Sequence, residues 1–131
     1  MKGILAIAAL AALGVSPVYA DCASPGNPPT VPDGNAATAQ DILKTQQDVV
    51  NFQTATQTYL ACIKKEHDDA IAAGGSNLSA SEGEKLDSTE SKEHNAAVHQ
   101  LNDVVTRFNQ SVATFKAKQA AAQKKPAKGK D

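Results

Sequence analysis

The chain of 131 residues has no Trp, one Met, three Phe and two Tyr. So little bulky side-chain volume excludes a deep globular core and implies a thin one, helped by a covalent link or by a second subunit. It also excludes the aromatic stacking platform of a single-stranded nucleic-acid binder, so no nucleic-acid partner is expected. Beyond Val15 no long apolar run occurs, and no transmembrane segment is expected in the mature chain. Catalytic signatures are missing too. No Ser sits in a nucleophile elbow, no glycine-rich phosphate loop follows a strand, and the Glu-x-x-His repeat of di-metal bundles does not occur. The chain therefore reads as no enzyme and as carrying no cofactor.

What is present begins with a targeting segment. Lys2 gives a short positive region, Ile4 to Val15 an apolar run, and Val18-Tyr19-Ala20 the small residues that signal peptidase needs. Residues 1–20 read as a signal peptide cut after Ala20, which implies a periplasmic or secreted protein. Asp21 stands where a lipoprotein signal has a small neutral residue and argues against a lipid on Cys22. Residues 21–37 form an arm. Pro25, Pro28, Pro29 and Pro32 exclude a helix and favour an extended path, and Val31-Pro32-Asp33-Gly34 reads as a turn in which Gly34 is free to take a positive φ.

Two long helices follow over residues 38–122, joined by a turn near 74–79. Thr38 with Asp41, and Ser79 with Glu82, make capping boxes at the two starts, while Gly74-Gly75 ends the first helix. On the first helix Ile42, Val49, Phe52, Tyr59, Ile63 and Ala70 keep a three-four repeat when Thr45, Thr56 and Glu66 are counted in it. On the second, Ala97, Val98, Leu101, Val104, Val105, Phe108, Val112 and Phe115 form the broadest apolar stripe of the chain. Helices joined by so short a link are antiparallel neighbours, which gives an all-α helical hairpin of coiled-coil type. Its expected core is Phe52, Tyr59, Leu101, Val105, Phe108 and Phe115. Apolar edges that one partner helix leaves wet make a homodimer, a four-helix bundle centred on Phe52, Val98, Val105 and Phe108, an open alternative to the monomer.

The two cysteines place the arm. In an exported chain an even count reads as a disulfide, and the one intramolecular pairing is Cys22 to Cys62. Cys62 lies about 36 Å along the helix from Thr38, and the arm from Cys22 to Thr38 reaches about 50 Å when extended. An intermolecular bridge remains the rival. The leader, Cys22, the Pro-rich arm, Tyr59-Leu60-Ala61-Cys62, His94-Asn95-Ala96-Ala97-Val98 and Arg107-Phe108-Asn109 together resemble a group of small uncharacterised exported helical proteins of Gram-negative bacteria. That resemblance covers most of the mature chain up to Phe115. It implies a periplasmic location and two helices, and no activity.

Charge is divided along the chain. Asp21 to Phe115 holds 13 acids against 6 bases, or −7, and Lys116 to Asp131 holds six Lys against one Asp, or +5. Residues 123–131 read as a disordered basic tail, in which Lys124, Lys125, Lys128 and Lys130 are candidates for contact with an anionic envelope surface. His94 and His99 are five apart and fall on different faces of a helix. Glu90 and His94 share a face that Glu66 or His67 could approach; the reading is a solvated polar patch with no metal site assigned, and a mixed carboxylate and imidazole set for a weakly bound metal is the alternative. The reading is a non-enzymatic structural or interaction protein of the bacterial cell envelope. Its alternative is a periplasmic binding or chaperone-like module for a peptide or a weakly bound metal.

Overall fold

A computed structural model describes residues 22–124. The signal peptide expected over 1–20 and most of the basic tail lie outside the described residues. The fold is all-α. Helix α1 spans Ala39–Gly74 and helix α2 spans Ala80–Gln123, and a single 3-10 turn at Gly75–Asn77 folds them back on each other as an antiparallel hairpin. At 1.5 Å per residue the helices are about 54 and 66 Å long. No helix among the described residues is long and apolar enough to cross a membrane.

Both helices start at complete capping boxes. Thr38 accepts from the Asp41 backbone N–H at 3.1 Å and Asp41 accepts from the Thr38 N–H at 2.8 Å; Ser79 and Glu82 make the same exchange. The Thr38 N–H and then its hydroxyl hold the Asp41 carboxyl below the usual carboxylate range, and the Ser79 hydroxyl and then its N–H do the same for Glu82. At the other end of α1, Gly75 takes a φ of 48° and donates its N–H to the Ile71 carbonyl. A side chain there would be strained, and glycine terminates the helix at this point.

The seam between the helices follows a repeat of seven. Thr45, Val49, Phe52, Thr56 and Ile63 are buried on α1, and Ala97, Val104 and Ser111 on α2. Val104 and Thr56 are the most deeply buried, with no exposed surface, and Phe52 keeps 5 %. Leu101, Val105 and Phe108 pack against the Val49, Phe52 and Val104 cluster while remaining half-exposed. Tyr59 and Phe115, expected in the core, are also only half-buried. Phe52 is thus buried within one chain, while Val105 and Phe108 pack on the same cluster and keep part of their surface exposed. The large apolar side chains left outermost are Leu43 (66 % exposed) and Val50 (53 %).

Three polar residues are buried in the seam, Thr45 and Thr56 as the repeat predicts and Ser111 against it. Thr45 and Thr56 weaken the seam on propensity grounds, yet each turns its hydroxyl back to its own helix, to the Asp41 and Phe52 carbonyls at 2.8 Å. Buried hydroxyls satisfied in this way cost little. Ser111, a polar position beside Val112, is the residue that enters the seam, because its Oγ donates to the Pro32 carbonyl at 2.6 Å.

That bond belongs to the arm, the third wall of the core. A disulfide joins Cys22 to Cys62 within the chain, with Cα atoms 5.7 Å apart. From there residues 22–33 run back beside α1, and Val31 packs on the Val49, Phe52 and Val104 cluster. The turn that follows is an Asx turn: the Asp33 side chain accepts from Asn35 N–H at 2.9 Å and its carbonyl from Ala36 and Ala37 N–H at 3.0 and 2.8 Å. Lys118 closes the contact by donating to the Asn35 carbonyl at 2.6 Å.

Gly34 has an ordinary negative-side φ, contrary to the expectation of a positive one. It is glycine because the turn presses on α2. A Cβ at Gly34 would collide with the Ser111 carbonyl oxygen and stand 2.8 Å from Thr114 Cβ and 2.9 Å from Phe115 N. Backbone cannot yield as a flexible side chain can. Gly34→Ala should therefore lift the turn from α2 and cost about 1–3 kcal/mol in chemical denaturation. An unchanged midpoint would show that the arm does not brace α2.

The half of the hairpin near Asn77 has no buried residue on α1 after Ile63 or on α2 before Ala97. Its cross-helix polar contact is His67, whose Nε2 lies 2.7 Å from Asp87 Oδ1 and whose Nδ1 lies 3.4 Å from Asp68 Oδ1. The Asp87 bond, then the Asp68 bond, raises the His67 pKa above its ordinary value. A raised folded-state value means that the stabilisation is full below the unfolded value of about 6.5 and is lost as pH rises through the folded one. The thermal midpoint should accordingly fall by a few degrees between about pH 6 and about pH 8, and His67→Gln should flatten that slope. An equal slope in the variant would assign the dependence to other groups.

Candidate functional site

One turn of α1 carries the chemistry that the fold leaves unexplained. Cys62 and Glu66 are four residues apart and share a helix face. The disulfide brings Cys22 to the same place, so Cys22 Sγ, Cys62 Sγ and a Glu66 carboxylate oxygen lie within 4.8 Å of one another, all three residues half-buried. Glu66 Oε1 is shut off from solvent and has no hydrogen-bond partner among the described residues. A carboxylate oxygen out of water without a donor costs free energy, and it calls for a proton donor or a cation beside it.

The surroundings are electronegative. Tyr59, one turn before Cys62, has its pKa raised by burial first and then by the charges of Glu93 and Glu66. The charges that act on Tyr59 are thus negative, one from each helix, and the field there favours a cation over an anion. Nearby lysines do not neutralise it. Lys64 and Lys65 point outward to Asp68 and Asp69, one turn along their own helix, in exposed pairs.

The histidine-based set read from the sequence does not assemble. His94 and His99 are exposed, and His67 is engaged by Asp87 and Asp68. Glu90 sits across from Lys64, whose pKa it helps to raise behind the larger effect of Asp68. Of the expected ligands only Glu66 enters a cluster, and its companions are the two sulfurs. The sequence signal for this site is Cys62-x-x-x-Glu66, a helical ligand spacing, together with a glutamate at a seam position. It was hidden because both cysteines were already assigned to the cross-link.

Two shallow grooves flank the arm. One of about 530 Å³ is lined by Pro29, Thr30, Pro32, Asp41, Lys44 and Asp48, and one of about 360 Å³ by Val31, Gly34, Arg107, Gln110 and Thr114. Both are open and shallow and mix polar with apolar walls, and neither has the enclosed, predominantly apolar lining of a ligand pocket. Of the tail lysines, Lys124 follows α2 and is exposed, while Lys125, Lys128 and Lys130 lie outside the described residues. No protein-family model, no curated protein and no solved structure matches the chain.

Proposed function

We propose that this chain is a small, non-enzymatic binding module of the bacterial cell envelope, and that its ligand is a weakly held metal ion. The Glu66 carboxylate, which has its Oε1 shielded from solvent and unpartnered and brings an oxygen within 4.8 Å of the two cysteine sulfurs, carries this reading. The leader read over residues 1–20 supports the envelope location. A peptide ligand is disfavoured by the shallowness of both grooves, which offer no enclosed pocket for an anchoring side chain. The hairpin and its arm serve as the rigid support that a small site requires.

Equilibrium dialysis of the mature protein against Zn²⁺, Cu²⁺ and Mn²⁺, with its thiols oxidised and with them reduced, tests the reading. Retention of one ion per chain in either redox state is the expected result. Retention in neither state overturns it.

The division of charge favours a second contact. Six Lys against one Asp after Phe115 give the chain a basic end that an anionic envelope surface would hold, by up to about 1 kcal/mol per lysine. Removal of residues 124–131 should reduce co-sedimentation with anionic vesicles at low ionic strength and leave helicity unchanged. Added salt should weaken the full-length protein's binding, because exposed charges are screened over about 10 Å at 0.1 M. Equal binding by both forms would remove the tail from the account.

A further inference from the structure

Resting on the binding-module reading, the geometry points to a gate: the Cys22–Cys62 disulfide closes a cation site, and its reduction opens one built from two thiolates and the Glu66 carboxylate. In the oxidised chain each sulfur is spent on its neighbour and offers a metal little. Reduction by an exported dithiol breaks the S–S bond, gives a thiol at Cys22 and one at Cys62, and leaves the donor as its own disulfide. Two electrons and two protons pass from donor to protein. When a divalent cation enters, the two thiols release two protons to solvent and bind as thiolates.

The three donors need little rearrangement. They already lie within 4.8 Å of one another, and a tetrahedral zinc ion with Zn–S bonds of about 2.3 Å holds its sulfurs about 3.8 Å apart. Cys62 and Glu66 are fixed by α1. Cys22 is kept near them after reduction because the arm stays anchored further along, through Val31 on the core cluster, Pro32 to Ser111 and Asn35 to Lys118. Pro25, Pro28 and Pro29 stiffen the stretch between, so the entropy lost on drawing Cys22 back is small.

Donor chemistry selects the ion. Two thiolates and one carboxylate suit Zn²⁺, with the fourth tetrahedral position left to solvent. Ca²⁺ and Mg²⁺ take oxygen donors, while Cu⁺ prefers sulfur and gains nothing from Glu66. Two thiolates and a carboxylate also carry more negative charge than a single monovalent ion would balance.

The test is a Zn²⁺ titration of the mature protein against a chromophoric chelator, oxidised and phosphine-reduced, with Co²⁺ as a spectroscopic probe and far-UV circular dichroism recorded alongside. Reduced protein should bind one Zn²⁺ at least about 100-fold more tightly than oxidised protein, and its Co²⁺ form should show thiolate charge-transfer absorption. Glu66→Gln should weaken reduced-state binding by about tenfold or more without altering helicity, and Cys62→Ser should abolish the charge-transfer band. Equal or tighter binding by the oxidised form overturns the gate and leaves the binding-module reading standing. Unchanged binding by Glu66→Gln overturns the three-donor site. A reduced chain that loses its helicity and does not regain it with Zn²⁺ overturns it as well. Absence of binding in both redox states removes the module reading together with the gate.

Discussion

The covalent tether between Cys22 and Cys62 sets how far the core of this protein extends. Two helices packed along one seam shield that seam from each other but leave its flanks open to water, and isolated helices owe most of their stability to such packing. The arm closes one flank. It begins at Cys62 and ends at the cap of α1, and the buried residues of α1, from Thr45 to Ile63, lie within that span or one residue past it. With the cysteines 40 positions apart in the sequence, restriction of the unfolded chain is worth about 4 kcal/mol on a chain-entropy account. A domain with so few large side chains has a net stability of the same order, so the tether and the core cannot be treated as separate contributions. The prolines act in the same direction, since an arm already stiff before folding loses less freedom when it docks.

Beyond Cys62 the physics changes. Towards Asn77 the helices are held by half-buried Leu78, Leu86 and Ile71, by the Ser79 capping box and by the His67 bridge to Asp87. Ion pairs are plentiful on the hairpin surface, at Lys44–Asp48, Lys64–Asp68, Lys65–Asp69 and Asp103–Arg107. All four are exposed and four residues apart on one helix, where such pairs contribute a few tenths of a kcal/mol to the helix and nothing to the contact between helices. The turn half therefore belongs to the low-stability end of the molecule, with its opening free energy set by solvent-exposed bonds, while the arm half carries the global stability. One chain thus contains a braced end and a loose end, and Cys62 marks the boundary.

Features encoded within one or two helical turns were legible in the sequence. The capping boxes at Thr38 and Ser79, the glycine stop and the antiparallel pairing are of this kind, because the residues that decide them are neighbours in the chain. Phe52 was legible as core through the helical period. Ser111 was not, since hydropathy ranks it below Val112, and only the arrival of the Pro32 carbonyl 79 residues away makes a buried hydroxyl acceptable there. Gly34 was read for the right turn and the wrong reason: what matters is its distance to the α2 backbone, a tertiary quantity with no local signature. Glu66 was visible as an irregularity in the seam, but its partners depend on where the arm delivers Cys22.

The choice of residue at 66 narrows what can satisfy it. A glutamine there would bring a donor and an acceptor, and would find the bonding easier in a mixed environment; a carboxylate brings acceptors alone. What Glu66 lacks is therefore positive charge or a proton, and nearby α1 cations are directed elsewhere, Lys64 and Lys65 to their own aspartates. Tyr59, which has a hydroxyl to offer, is itself harder to ionise because of its burial first and then of the charges of Glu93 and Glu66. A carboxylate then stands beside a pair of sulfurs at the edge of the core, a grouping that packing does not require and that a leucine at 66 would serve better if packing were the purpose. The cost of keeping an acidic group at this boundary is borne where the core ends, so relieving it by a bound cation would draw the arm, α1 and α2 together at the point where the hairpin otherwise begins to loosen.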